Sequence, residues 1–385
     1  MLIHICNNFI SSKVHSNLIK YISKILHVEQ FVFVPIRAEG HRGLFSFSAT
    51  HVDIVYRKCQ GAFIRFFPLV KIIFTLLSFI YSLRGKNRRE ASVLAHTLWS
   101  DGCVAYLFSL LAGVRYSVVV RNTDVNWFIP KLPHYRWLIA KIIARADAVI
   151  FVSAAHRGRF SEDYPHLYKA AKIVEVIPNG VEDFWMQNLN TAECERPETV
   201  TFVGRFDKNK NLDGLLTAAK LVRNDINNLR LVLIGGTAND LAELIGSKEV
   251  PDWVECLGRI DDKETIKKYY RSSRVFAAPS HTETFGLVYV EALTQGCPFI
   301  YTAGEGVDGF FDNASYCKAV NSRNASQIAA ALIALLRQFP RGVSHELFKG
   351  RTSEFSWASV ASRYVHLLNM TVEGEDIESD CRVFK

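Results

Sequence analysis

The stretch from Val275 to Gly296, VFAAPSHTETFGLVYVEALTQG, constrains the fold more than any other part of the chain. Its apolar run Val275-Phe276-Ala277-Ala278 reads as a buried strand, and Pro279 stops it. A polar loop, Ser280 to Thr284, leads to Phe285-Gly286. From Leu287 the apolar residues Leu287, Val288, Val290 and Leu293 fall at helical spacing, and Gly296-Cys297-Pro298 ends the run. Strand, tight loop and helix in that order belong to an α/β domain. The arrangement presents the unpaired N–H groups and positive dipole end of a helix to an anion. Glu283 in the loop and Glu291 two turns on flank that helix start. Taken alone, such a pair could equally be a capping acid and a solvated helix residue.

The same alternation runs through the rest of the chain. Leu2–Ile5, Phe31–Pro35, Ile54–Tyr56, Ser92–His96, Ser117–Val120 and Ala148–Val152 read as short apolar strands. Amphipathic runs such as Leu18–Leu26, Val104–Leu111 and Trp137–Ala144 separate several of them. This pattern predicts a parallel sheet with helices on both faces, and ligands at the carboxyl ends of its strands. The loops Asn7–His15, His96–Gly102 and Arg121–Trp127 lie there, and the first lacks a Gly-x-Gly-x-x-Gly fingerprint. Pro178-Asn179-Gly180 is a turn signal, and a second strand series follows it. That series is Thr199–Val203, Arg230–Ile234, Val254–Leu257, Val275–Ala278 and Pro298–Tyr301. At 385 residues two domains are expected, here residues 1–180 and 181–355. A C-terminal helix over 356–373 is expected to follow, then a polar, frayed tail from Gly374.

Charge divides unevenly between the halves. Through Trp185 the chain carries 23 Lys and Arg against 12 Asp and Glu, whereas the remainder carries 23 against 26. A basic first half points to an anionic partner. No recognition motif or aromatic-basic interleaving speaks for nucleic acid, which leaves an anionic membrane surface. The segment Phe63–Arg89 bears on that choice. It is densely apolar, is interrupted by Lys71, and ends in Arg84, Lys86, Arg88 and Arg89. The apolar run after Lys71 is about 12 residues, short of the ~20 that span a bilayer, so it reads as a buried helix or an interfacial one. The first residues lack the basic start and apolar length of a secretory signal. Eight scattered cysteines without a C-x-x-C argue against a zinc site or disulfide framework and suit the reducing cytosol.

The wording E-T-F-G-L-V-Y-V-E-A from Glu283 to Ala292, ahead of Gly296-Cys297-Pro298, resembles the signature of retaining, family-4-type GT-B glycosyltransferases. The loop Gly204-Arg205-Phe206-Asp207-Lys208-Asn209-Lys210-Asn211 before an apolar helix is similar to that family's donor-diphosphate loop. The resemblance implies two Rossmann-like doubly wound domains facing each other across a cleft, and a C-terminal helix that packs back on the first. It further implies that Arg205 and Lys210 pair with the donor diphosphate, that Glu283 meets sugar hydroxyls, and that Glu291 holds the ribose. Gly204 and the N–H groups around Phe285, Gly286 and Leu287 would complete the donor site, with Arg259 and Ile260 near the base. Many relatives carry a His after the strand that ends at Val120; this chain has Arg121 there. Arg121 could stabilise a departing phosphate but stays protonated and cannot act as a base; it could also simply pair with Asp124. His96 is a second acceptor-side candidate, with a structural role as the alternative.

The activity implied is retaining transfer of a hexose-type sugar from a nucleotide-sugar such as a UDP- or GDP-sugar to an acceptor. The setting implied is a lipid-linked saccharide in bacterial surface polysaccharide assembly, with the protein cytoplasmic and peripheral on the inner membrane face. No Asp-x-Asp pair is present, so no cofactor and no essential divalent metal are expected. The rivals are an epimerase-type enzyme and a non-catalytic sugar-nucleotide-binding protein on the same fold. A phosphorylase is disfavoured, because the extra length and lysine context of a pyridoxal enzyme are missing.

Overall fold

The computed structural model describes residues 1–59, 67–86, 90–247 and 249–373. Two compact units emerge. The first comprises Met1–Val152, Phe160–Ile177 and the chain from Trp357 on; the second comprises Ser153–Arg159 and Pro178–Ser356.

The first unit is built on a parallel sheet of seven strands. They are β1 (Leu2–Ile5), β2 (Gln30–Ile36), β3 (Val52–Lys58), β4 (Ser92–Ala95), β5 (Arg115–Val120), β6 (Val149–Phe151) and β7 (Val174–Val176). Their order is β3-β2-β1-β4-β5-β6-β7. β1 lies in register between its neighbours, Leu2 opposite both Gln30 and Ser92. The inner strands β1, β2 and β4 are almost wholly buried, as expected of a parallel sheet covered on both faces. Helices α1 (Lys13–Ile25), α2 (Pro68–Ser82) and α3 (Ser100–Ala112) pack around it. The C-terminal helix Trp357–Glu373 lies against α1, with Trp357, Val360, Ala361 and Tyr364 clustered with Leu18, Ile22 and Ile150.

The second unit repeats the plan with β8 (Thr199–Val203), β9 (Arg230–Ile234), β10 (Val254–Cys256), β11 (Val275–Ala277), β12 (Phe299–Thr302) and β13 (Cys317–Val320). Their order is β10-β9-β8-β11-β12-β13, all parallel. In each sheet the strand order reverses once, between β1 and β4 and between β8 and β11. At such a reversal the flanking loops splay apart, and open α/β sheets take their ligands there.

The strands read from sequence recur, each with its ends within two residues of those expected. β7 and β13 were not read. β7 has three residues, and β13 alternates buried ends with exposed centres, so neither shows the apolar run of a central strand. α1 starts at Lys13 rather than Leu18, because Val14 and the buried His15 already belong to its inward face. In Phe63–Arg89 the helix is α2, opened by Pro68 at its first turn. Phe63–Phe66, Arg88 and Arg89 lie outside the described residues, as does the tail from Gly374. α2 buries Ile72, Thr75, Leu76 and Phe79, while Leu69, Val70, Ile73, Phe74, Leu77 and Tyr81 are exposed. No described helix is long and apolar enough to cross a membrane.

Candidate active site

The loops after β8 and β11 meet at the second sheet's reversal. Asp207 starts the first loop's turn, its carboxylate accepting the N–H groups of Asn209 (3.0 Å) and Lys210 (3.2 Å). Asn209 then bonds the second loop three ways. Its Oδ1 accepts Thr282 N–H (3.0 Å) and Oγ1 (2.8 Å), and its Nδ2 donates to the Thr282 carbonyl (2.9 Å). Asn211, in the left-handed region at φ 54°, donates Nδ2 to the carbonyls of Pro279 (3.1 Å) and Ser322 (2.6 Å). Asparagine tolerates that backbone conformation. These bonds place Lys210 Nζ 2.7 Å from Glu283 Oε2, with both side chains mostly buried. Arg205 stands in the same loop with 89% of its side chain exposed and Asp207 3.7 Å away. One cation is thus held against the acid, and the other is exposed to solvent.

Glu283 is fixed from below. Its N–H donates to Glu305 Oε2 (2.9 Å), and its own Oε1 accepts Thr284 N–H (3.0 Å). Glu305, 6% exposed, also takes His156 Nε2 (3.2 Å) and Arg159 Nη1 (2.8 Å). Burial alone would raise the Glu305 pKa, but the bonds from His156, the Glu283 N–H and Arg159 outweigh it and hold the carboxyl below its usual range. Gly286 and Gly306 leave room for Glu283: a Cβ on either would come within 3.2 Å and 3.0 Å of its Cγ, respectively. Gly286, at φ 81°, also precedes the Leu287–Thr294 helix, whose first turn has no side-chain cap. The amide dipoles there remain available to an anion. Phe285 is buried against Phe310 and Phe355, so only its backbone can serve a ligand.

Glu291 lies further along that helix. Burial, then the charge of Glu182, pushes its pKa up to about 7, with Lys263 opposing. Its carboxylate has no hydrogen bond among the described residues, leaving both oxygens for a ligand's hydroxyl groups. The loop with Arg259 and Ile260 is tied at its base by Gly258 N–H to the Gly236 carbonyl (3.0 Å) and Gly235 N–H to the Gly258 carbonyl (2.8 Å). Arg259 is exposed beside Asp261. Among the described residues this loop shares no hydrogen bond or ion pair with Lys210 or Glu283. Gly204 packs its backbone under Gly235, so the loop after β8 rests directly on the loop after β9.

In the first unit, His96 and Arg121 come together at the other reversal. Arg121 Nε donates to the His96 carbonyl (3.0 Å). The Arg121–Asp124 pairing left open by the sequence runs through the Arg121 N–H (2.9 Å), and Asp124 also accepts Leu98 and Trp99 N–H groups. The His96 ring is fully buried, 3.1 Å from His4 Nδ1 and 3.4 Å from His15 Nδ1. Burial, followed by the neighbouring His15, His4 and Arg121, depresses its pKa and keeps it neutral. The His96 ring is thus enclosed by His4 and His15, and it is the His96 backbone carbonyl that holds Arg121. Cys6 Sγ lies with the His15 and His96 nitrogens within 4.8 Å of one another. Arg121 Nη2, 3.5 Å from His15 Nδ1, makes that a poor seat for a cation. Asp101, buried nearby, accepts Asn7 N–H (3.1 Å), and burial raises its pKa to about 7.

Asn209, Asn211, Glu305, His156 and Arg159 escaped the sequence reading. Asn209 and Asn211 sit inside the loop already singled out, and an N-x-N before an apolar helix was a usable signal. His156 and Arg159 act across about 150 residues of chain on Glu305, and no local pattern announces such a contact.

Residues 182–341 match the family model described as glycosyl transferases group 1. A D-inositol 3-phosphate glycosyltransferase of Corynebacterium aurimucosum is 30% identical over 266 residues, 63% of this chain and 60% of the relative. A GDP-mannose-dependent alpha-(1-6)-phosphatidylinositol monomannoside mannosyltransferase of Mycobacterium tuberculosis is 28% identical over 280 residues, 67% of this chain and 70% of the relative. Among solved structures, sucrose-phosphate synthase from Thermosynechococcus elongatus aligns with a TM-score of 0.74 at 18% identity, covering 97% of this chain and 99% of that one. That likeness establishes the fold, two Rossmann-like domains of GT-B type. The match over residues 182–341 makes the second unit similar to the group 1 glycosyl transferases.

Proposed function

We propose that this protein is a retaining glycosyltransferase that moves a hexose-type sugar from a nucleotide-sugar to a lipid-linked saccharide. The observation that carries the reading is the Lys210–Glu283 pair, set beside the exposed Arg205 and the uncapped Leu287–Thr294 helix. A cation bonded to the acid, a second exposed cation in the same loop and the uncapped helix that starts at Leu287 suit a nucleoside diphosphate with its sugar.

In this reading the second unit holds the donor. Glu291 accepts the ribose hydroxyls, and the 258–260 loop lies toward the base. Lys210 and Arg205 take the diphosphate with the N–H groups of Phe285, Gly286 and Leu287, and Glu283 accepts hydroxyls of the sugar. As the bond from the anomeric carbon to the phosphate oxygen breaks, negative charge grows on that oxygen. The two cations meet it without a metal ion, and fixed cations of this kind favour the transition state over the bound donor. The acceptor oxygen bonds to the anomeric carbon on the same face, and its proton passes to the departing phosphate. The first unit supplies the acceptor side, with Arg121 held by His96 and Asp124.

A lipid-linked acceptor is supported by the basic first unit, by the exposed apolar face of α2, and by the phosphatidylinositol monomannoside named for the mycobacterial relative. The setting that fits is the inner face of a bacterial cytoplasmic membrane, where surface polysaccharides are assembled. A thermal-shift screen of UDP-, GDP-, ADP- and dTDP-sugars tests the reading. One donor should raise the melting temperature of wild type and fail to do so in Glu291→Ala. No shift with any nucleotide-sugar would refute it.

A further inference from the structure

Residues Ser153–Arg159 belong to the second unit, although the chain on either side of them belongs to the first. They also lie outside residues 182–341, the stretch that matches the family model. This segment opens the helix Ala154–Asp163 and holds the loop after β12 through three side chains. Ser153 Oγ donates to the Gly306 carbonyl (2.7 Å), His156 Nε2 donates to Glu305 Oε2 (3.2 Å), and Arg159 Nη1 donates to Glu305 Oε1 (2.8 Å). The approach is close: a Cβ on Gly309, at φ 84°, would lie 2.8 Å from Ala154 Cβ.

The same loop meets the loop of Glu283. Glu305 Oε2 accepts the Glu283 N–H (2.9 Å). A Cβ on Gly306 would lie 2.8 Å from the Phe285 carbonyl oxygen and 3.0 Å from Glu283 Cγ. Each Glu305 oxygen therefore has a partner from the 153–159 segment, which fixes the carboxylate plane and aims Oε2 at the Glu283 N–H. Glu305 and His156 are both buried. Buried ion pairs seldom add net stability, and apolar side chains could fill the same space. What the charges add here is orientation, passed to an acid whose own carboxylate is held by Lys210 and the Thr284 N–H.

We propose that Glu305 is a positioning residue for Glu283, and that His156 and Arg159 complete the sugar end of the donor site by holding Glu305 in place. The inference rests on the glycosyltransferase reading and deepens it. Recognition of the donor's sugar, as distinct from its nucleoside diphosphate, depends on a segment from the first half of the chain. Glu305 does not touch the donor; it acts through the backbone of Glu283, whose side chain accepts the sugar hydroxyls.

The test compares two ligands by calorimetric titration: the nucleotide-sugar selected from the UDP-, GDP-, ADP- and dTDP-sugars, and its free nucleoside diphosphate. Turnover of the nucleotide-sugar is measured beside them, in wild type, Glu305→Ala, Arg159→Gln and Arg159→Lys. The free diphosphate uses Glu291, Lys210 and Arg205 but no sugar contact, so its binding also shows that a variant is folded. Misplacing a binding group by about 1 Å costs up to about 10²-fold, so Glu305→Ala should lower kcat/KM by about 10–10²-fold. It should weaken the nucleotide-sugar while binding the free diphosphate as wild type does. Arg159→Gln should show the same split, and Arg159→Lys, which keeps the charge, should recover most of the loss. Equal weakening of both ligands would make Glu305 merely structural and overturn the proposal. So would a Glu305→Ala variant with the kcat/KM of wild type. A wild type that binds no nucleotide-sugar at all would refute the glycosyltransferase reading, and this role with it. The first two failures show only in the variants and the third in wild type, so they are told apart.

Discussion

Lys210 and Arg205 share a loop and a proposed ligand but stand in opposite surroundings, so their removal should separate stability from turnover. Lys210 is 20% exposed and bonds Glu283 at 2.7 Å, with Glu283 itself 16% exposed. Lys210→Ala leaves a largely buried carboxylate with only its Thr284 N–H contact. A hydrogen bond to a charged group contributes about 1.5–3 kcal/mol net, and about 1 kcal/mol moves the melting temperature of a domain this size by roughly 2–4 °C. Lys210→Ala should therefore melt roughly 3–12 °C lower. Arg205 is 89% exposed and 3.7 Å from Asp207. Exposed pairs contribute little, so Arg205→Ala should melt with wild type. In turnover the two should converge. Each removes a cation from the growing phosphate charge, and each should lower kcat by about 10²–10³ with a smaller change in donor KM. Differential scanning fluorimetry and release of nucleoside diphosphate measure the two effects. Arg205→Ala with full turnover, or with only a raised KM, would refute the transition-state role. Lys210→Ala melting with wild type would refute the buried pair.

Glu291 gives a pH prediction. Its pKa is raised to about 7 in the folded protein, so the folded state holds a proton that the unfolded chain has already released. Its contribution therefore destabilises progressively as pH rises from the ordinary glutamate range to about 7, and levels off above. Glu291→Gln should melt higher than wild type at pH 8, with the gain shrinking toward pH 5, while losing donor affinity; a pH-independent gain would contradict the burial. Glu283→Gln keeps an acceptor oxygen but loses the charge, and should impair both donor KM and kcat through misplacement of the sugar. The basic first unit and the exposed face of α2 predict sedimentation with anionic liposomes that weakens with salt, since exposed charges are screened over about 10 Å at 0.1 M. Binding that ignores salt would point to apolar insertion of α2 instead.

Much of the architecture was legible because a covered parallel sheet writes itself as apolar runs between turn residues. Leu2–Ile5, Arg230–Ile234 and Phe299–Thr302 show this plainly. The loops carrying Arg205, Lys210 and Glu283, the last leading into the helix of Glu291, were legible for a related reason. Each lies between a strand and a helix whose patterns fix its place. What fixes Glu283 was not legible, since Glu305 follows β12 and its partners His156 and Arg159 come from a segment after β6. Such charges meet only through the tertiary fold. His96 was ambiguous for the converse reason: a histidine at a strand end looks the same whether it faces solvent or, as here, packs against His4 and His15. In α2 the sequence posed the choice between burial and exposure, and the structure divides the helix between them.

The account stands most directly on the fate of the sugar. The purified chain, in excess chelator, would be given its preferred nucleotide-sugar and a short-chain prenyl-diphosphate saccharide. Free nucleoside diphosphate would be counted while NMR follows the anomeric proton of the transferred sugar. The account predicts one diphosphate released per glycoside formed, the anomeric configuration of the donor kept, and loss of both signals in Lys210→Ala. No diphosphate from any nucleotide-sugar would contradict the glycosyltransferase reading, an inverted product would contradict same-face transfer, and a strict need for a divalent ion would contradict the role given to Arg205 and Lys210.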